Sequence, residues 1–146
     1  MKDLTGYCGL YCGACSFKVA FDEQDRSHLA NLPGRLSKYA DAQLAFCPGC
    51  RADASLCEEC GIRDCARARS VDHCGDCADF PCSRLRQFAE DGLVHHAEII
   101  KSLEQLKELG EEQWLRVQKE RWVCSCGAKR SWYLEKCPKC GSLRDN

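Results

Sequence analysis

Five pairs of cysteines share one spacing. Cys12 and Cys15, Cys47 and Cys50, Cys57 and Cys60, Cys74 and Cys77, and Cys137 and Cys140 are each separated by two residues. That spacing lets two thiolates hold one ion from a tight turn. The other cysteines are Cys8, Cys65, Cys82, Cys124 and Cys126, which makes 15 in a chain of 146 residues. Such a density marks a scaffold stapled by disulfides or by metal. An odd number cannot pair completely within one chain. The opening MKDLTGYCGLYCGAC lacks the basic, apolar and small-residue order of a secretory signal. No stretch approaches the roughly 20 apolar residues of a membrane span. The sequence therefore predicts a cytoplasmic protein without a membrane contact, its thiols kept reduced and bound to metal. At four thiolates per site, 15 cysteines predict three or four ions, mainly zinc, with every cysteine a ligand.

The last 26 residues carry the sharpest motif. Cys124-Ser125-Cys126-Gly127 and Cys137-Pro138-Lys139-Cys140-Gly141 are two knuckles separated by ten residues. Glycine after the second cysteine of each permits a turn with positive φ beside the sulfurs. Arg130, Ser131, Trp132, Tyr133 and Leu134 between them have strand-like character. The expected product is a zinc ribbon, a β-hairpin closed by four thiolates. A segment this short builds no core of its own, so the metal supplies its folding energy. Lys129, Arg130, Trp132 and Tyr133 interleave basic and aromatic residues, a pattern that binds phosphates and stacks bases. The alternative is that these side chains pack within the molecule. Four thiolates against one dication remove about two positive charges from the ribbon, so nucleic-acid binding is expected to be weak or absent. A protein partner or an intramolecular contact is preferred.

The eleven cysteines of residues 1–92 resist grouping. They make two complete four-thiolate sites with three left over. His28 and His73 are the imidazoles that could complete a third site, whereas His95 and His96 read as solvent-exposed. Cys8, Cys12 and Cys15 form a C-x3-C-x2-C triplet, an order also found where three thiolates hold a [4Fe–4S] cluster. This triplet could hold zinc or, as the alternative, an iron–sulfur cluster in a redox protein. Nothing indicates catalysis. There is no glycine-rich phosphate loop, no G-x-S-x-G and no H-E-x-x-H, and no pair of carboxylates is placed for acid–base chemistry. The reading is a metal-binding structural or interaction module to which no catalysis is assigned.

The elements that position these thiols fall into three segments. Residues 1–92 form a small metal-stapled domain of short helices and zinc knuckles, with 11 basic and 14 acidic residues. Within it, helices are expected inside 12–30, over 36–46, and from an N-capping Ser83 towards Gly92. From Cys47 to Cys82 the knuckles leave little room for long elements. Residues 93–120 form a cysteine-free helical connector, 4 basic and 6 acidic. Ile99, Leu103, Leu106 and Trp114 mark its apolar stripe, and Gly110 suits a break into two helices. Residues 121–146 form the ribbon, where six Lys and Arg face only Glu135 and Asp145.

The order CGLYCGAC, CPGC, CEECGIRDCA and CGDCADFPCSRL resembles a prokaryotic cysteine-rich family of unknown function. The resemblance covers about residues 5–90 and includes all eleven cysteines, Ile62 with Arg63, and Phe80 with Pro81. It departs at Ser16, where the family's proline is expected. The resemblance implies a cytosolic metal-binding domain, often followed by a similar ribbon, and implies no reaction.

Overall fold

A computed structural model describes residues 2–40, 47–52 and 59–144. Five α-helices carry the described residues: α1 (Ser16–Glu23), α2 (Gly61–Ala68), α3 (Ser83–Ala89), α4 (Ile99–Leu109) and α5 (Glu111–Arg121). Short 3-10 turns link them, among them Cys12–Ala14, Arg26–Leu29, Gly34–Tyr39 and Cys74–Asp76. Among the described residues there is no strand. Three isolated antiparallel bridges take that place, at Thr5 with Tyr11, Val123 with Lys129, and Lys136 with Leu143.

The α4–α5 pair forms because its stripe is helical and its glycine is not. Ile99, Leu103 and Leu106 lie on one face and are buried. Gly110 then adopts φ 76° and ψ 158°, a conformation essentially reserved for glycine, and the chain restarts as α5. Glu111 and Glu112 open α5, and Lys119 and Arg121 close it, each charge matching the helix dipole at its end. Trp114 and Leu115 face inwards.

The largest buried cluster joins these side chains to Tyr11, Ala14, Ile62, Leu85 and Trp122. Trp114 is fully buried at its centre, with the Tyr11 ring edge-on at 6.1 Å. The segment read as a connector therefore supplies the middle of the core, and the cysteine-rich segment wraps it. A second, smaller cluster unites Phe17, Ala20, Leu29 and Cys47 under Tyr39.

The N-terminal loop is pressed against α4 at Gly9. Its φ is +86°, and a Cβ there would lie 2.6 Å from Leu103 Cγ and 3.2 Å from the Ile99 carbonyl. Ser102 Oγ donates to the Gly9 carbonyl at 2.7 Å. Gly9→Ala combines a left-handed strain of about 1–3 kcal/mol with a steric clash. It is expected to lower the thermal midpoint clearly, whereas Gly110→Ala, where no atom stands within 4 Å, carries the strain alone. Equal midpoints for the two variants would contradict the close approach.

Several expectations are corrected. The β-hairpin is absent: residues 130–134 contain no strand, and each knuckle is closed by one bridge. The 12–30 region holds a helix only over Ser16–Glu23, ended by Gln24 in the left-handed region at φ 52°. The second expected helix is a 3-10 helix over Gly34–Tyr39, and residues 41–46 lie outside the described ones. Between Cys47 and Cys82, where no long element is expected, the described residues hold the short two-turn helix α2, which buries Ile62, Arg63 and Ala66. Ser83 is the first residue of α3, not its cap; Cys82 holds that place without a side-chain cap bond. The helix break at Gly110 is borne out.

Candidate metal centre

The C-terminal site is assembled by two backbone turns after α5. In the first, Cys124 N–H donates to Ala128 O at 2.8 Å and Gly127 N–H to Cys124 O at 2.8 Å. In the second, Cys137 N–H donates to Ser142 O at 2.8 Å and Gly141 N–H to Cys137 O at 2.9 Å. Gly127 at φ 85° and Gly141 at φ 75° make these turns without Cβ strain. The turns aim backbone donors at sulfur: Cys126 N–H at Cys124, Ala128 N–H at Cys126 and Ser142 N–H at Cys140.

The four sulfurs converge. Cys124 and Cys140 Sγ are 3.6 Å apart, as are Cys126 and Cys137 Sγ, and all four lie within 4.8 Å of one another. Four such sulfurs can hold a metal ion. The surroundings favour thiolate on one side of the site. Ser142 Oγ, then the Cys126 N–H, draws the Cys124 thiol down to about 5. Ser142 likewise lowers Cys140. At Cys126 the Ala128 N–H pulls downwards but is outweighed by desolvation and the three neighbouring thiols, which leave it at about 11. Buried Arg130 brings a positive charge: its Nη2 lies 3.3 Å from Cys124 Sγ, 2.9 Å from Ser142 Oγ and 3.1 Å from Leu143 O.

The spacer between the knuckles is docked on the rest of the fold. Trp132 N–H donates to Ala14 O at 2.9 Å, and its ring stacks on His95 at 4.0 Å. Ser131 is fully buried and bonds His28 Nδ1 at 3.0 Å. Lys129 pairs with Glu23 at 3.0 Å. All four side chains that could have met nucleic acid thus have partners within the molecule, Tyr133 standing edge-on to His95 at 5.3 Å. Arg130 and Ser142 as partners of the thiolates were missed; only the position of Ser142, two residues after Cys140, hinted at the latter.

The N-terminal thiols form two neighbourhoods. Cys12 is hydrogen-bonded to Cys50, with Cys8 beside them. Around Cys74 stand Cys82, Cys65, Cys77 and Cys60, and burial together with these thiols pushes Cys74 up to about 12. Arg69 Nη1 reaches Cys77 Sγ at 3.3 Å. Cys15 and Cys47 pack at the smaller apolar cluster. Cys57 lies outside the described residues. No described cysteine is in a disulfide. Among the described residues, the C-terminal four are the one group of three or more cysteine, histidine or carboxylate ligand atoms drawn within 4.8 Å.

All four histidines depart from expectation. His28, His73 and His96 are buried, and His95 is half-buried against Trp132. None joins a ligand group with the thiols. Desolvation lowers each below the usual imidazole value, and His95, packed near His96, Asp91 and Arg35, falls to about 3. Above the unfolded value of about 6.5, folded and unfolded chains both carry neutral imidazole, and stability is at its full value. Below it the unfolded chain takes up protons that folded His95 does not. Stability therefore falls as pH drops from about 6.5 towards 3, by up to about 1.4 kcal/mol per pH unit for each such histidine. His95→Phe keeps a ring on Trp132 and is expected to flatten that slope by about one proton in denaturant unfolding series. An unchanged slope would contradict a neutral, half-buried His95.

The fold and site define a class: a cysteine-dense helical protein ending in a four-thiol centre that can bind metal. Residues 4–87 match the model of a family described as a protein of unknown function, DUF3795, and the chain belongs to that family. The C-terminal centre lies beyond the matched residues. No curated protein and no solved structure matches the chain.

Proposed function

We propose that this is a cytoplasmic zinc protein, a structural and interaction module whose C-terminal centre holds one zinc ion through Cys124, Cys126, Cys137 and Cys140. The observation that carries the reading is the spacing of the sulfurs. A tetrahedral ion with metal–sulfur bonds of about 2.3 Å has sulfur–sulfur edges of about 3.8 Å, and two of the edges here are 3.6 Å. Four protein ligands close the coordination sphere, as in structural rather than catalytic zinc sites. The ion would tie the knuckles together and thereby hold Trp122, Ser131 and Trp132 on the core. Four thiolates and one dication leave a charge of about −2, which Arg130 partly offsets. With Arg130 buried, Trp132 stacked on His95 and exposed Lys129 paired with Glu23, the partner this module serves is a protein, and nucleic-acid binding is weak or absent.

X-ray absorption at the metal edge tests this. The full chain purified anaerobically is expected to contain zinc with sulfur neighbours at about 2.3 Å. A brown protein with an iron edge and iron–iron distances would instead establish the iron–sulfur reading of Cys8, Cys12 and Cys15.

A further inference from the structure

We infer that the cleft bounded by α4, α5, the Gly9 loop and the tail is a binding site for a small planar heteroaromatic carboxylate. No cysteine lines it, so the inference stands apart from the metal reading.

The first observation is a cavity with an unpaired polar group in its wall. It measures about 280 Å³ and opens where four parts of the chain meet: residues 9–11, the face of α4 that carries Lys101, Ser102 and Gln105, the end of α5, and Trp132. That volume is just below the roughly 300–1,000 Å³ of pockets for drug-sized molecules, so it suits a ligand of one ring. Gln118 lines the cavity and is only 6% exposed. Its side-chain amide, both a donor and an acceptor, has no hydrogen-bond partner among the described residues. The Ser102 hydroxyl in the same lining is already engaged, donating to the Gly9 carbonyl at 2.7 Å. A buried amide left unpaired costs free energy, and a ligand atom in the cavity restores the bond.

The second observation is the surface around that amide. Trp122 and Trp132 both line the cavity. Arg144 sits over the Trp122 ring at 4.8 Å, and Trp132 is stacked on His95 at 4.0 Å, so both rings are held in place. Fixed aromatic walls favour a flat ring over a saturated one. Charge then selects the sign of the ligand. Glu98 and Arg121 in the lining neutralise each other through two bonds of 2.8 and 3.0 Å. His95 is neutral at pH 7, because desolvation holds its imidazole down to about 3. Lys101 is exposed and has no ion-pair partner among the described residues. The lining therefore carries one uncompensated positive charge, on its solvent side. A carboxylate meets Lys101 there and stays partly hydrated, while the ring enters against the tryptophans and a ring nitrogen accepts from the Gln118 amide.

The probe is nicotinate, titrated into the full chain as purified and followed by heteronuclear NMR. Shifts are expected at the Trp122 and Trp132 indole N–H groups and at the Gln118 side-chain amide, with a dissociation constant of about 1 mM or tighter. Three relatives of the probe each lack one feature: cyclohexanecarboxylate the flat ring, nicotinamide the charge and benzoate the ring nitrogen. Each is expected to bind about twofold to tenfold more weakly. Lys101→Glu is expected to weaken nicotinate by a similar factor and to leave nicotinamide unchanged. Gln118→Leu is expected to bring nicotinate down to the affinity of benzoate. Absence of the shifts at the top of the titration overturns the inference and leaves the cavity to water. Equal affinity for nicotinate and cyclohexanecarboxylate overturns it too, as does an unchanged nicotinate affinity in the Lys101→Glu variant. Should Gln118→Leu fail to fold, the exposed Lys101 and the titrations of the unaltered chain still decide.

Discussion

Stripping the metal with a strong chelator at neutral pH is expected to unfold residues 122–144 and to strip the core of its C-terminal cover. The tail has no strand and no buried cluster of its own; its knuckles are each closed by a single bridge. Structural zinc supplies roughly 10–16 kcal/mol in peptides of this kind, which is as large as the whole stability of an ordinary domain, about 5–15 kcal/mol. The loss propagates because the tail is docked. Trp122 belongs to the main buried cluster, Trp132 stacks on His95, and Ser131 is bonded to His28. The α4–α5 pair, packed around Trp114, is expected to keep residual helix. Circular dichroism before and after chelation, with metal removal verified by elemental analysis, measures this. An unchanged thermal transition in the verified apoprotein would mean that the metal is not part of the fold.

The second large effect concerns Trp114. Its side chain is fully buried among Tyr11, Leu103 and the other members of the main cluster. Trp114→Ala is expected to cost about 3–5 kcal/mol through lost burial and the cavity left behind, enough to leave most of the chain unfolded near body temperature. The indole Nε1 is buried without a hydrogen-bond partner among the described residues. A buried donor left unpaired costs about 1–3 kcal/mol. Trp114→Phe removes that donor while keeping a ring, so it is expected to be far milder than alanine. Denaturant midpoints for the two variants check the pair. Equal losses would show that the indole N–H does have a partner, or that shape alone governs the site.

What could be read from the residues followed what was local. The four tail cysteines are near in sequence and near in space, and the glycines after them make the turns their spacing demands. Gly110 breaks the helix where its missing side chain permits ψ 158°. What could not be read depends on long-range partners. His28 read as a candidate metal ligand because Ser131, its actual partner, is 103 residues away. His95 and His96 looked solvated because Trp132 and Phe88, on which they stack, belong to other elements. Helix α2 was hidden because its apolar face amounts to Ile62 and Ala66 among polar residues and cysteines. The strand expected around Trp132 fails for a related reason: that stretch turns so that Ser131 and Trp132 reach His28 and His95. The joining of Cys50 to Cys12 is likewise a tertiary contact that no spacing rule anticipates.

The central claim is that four contiguous tail thiols hold one ion by themselves. Counting metal per chain by native mass spectrometry, for the natural sequence and for Cys137→Ser, addresses it most directly. Cys137 is buried and its sulfur lies 3.6 Å from that of Cys126, so serine removes a ligand that no neighbouring thiol replaces. The account predicts the loss of one ion, with the others retained. An unchanged count, or the simultaneous loss of several ions, would contradict a self-contained C-terminal centre.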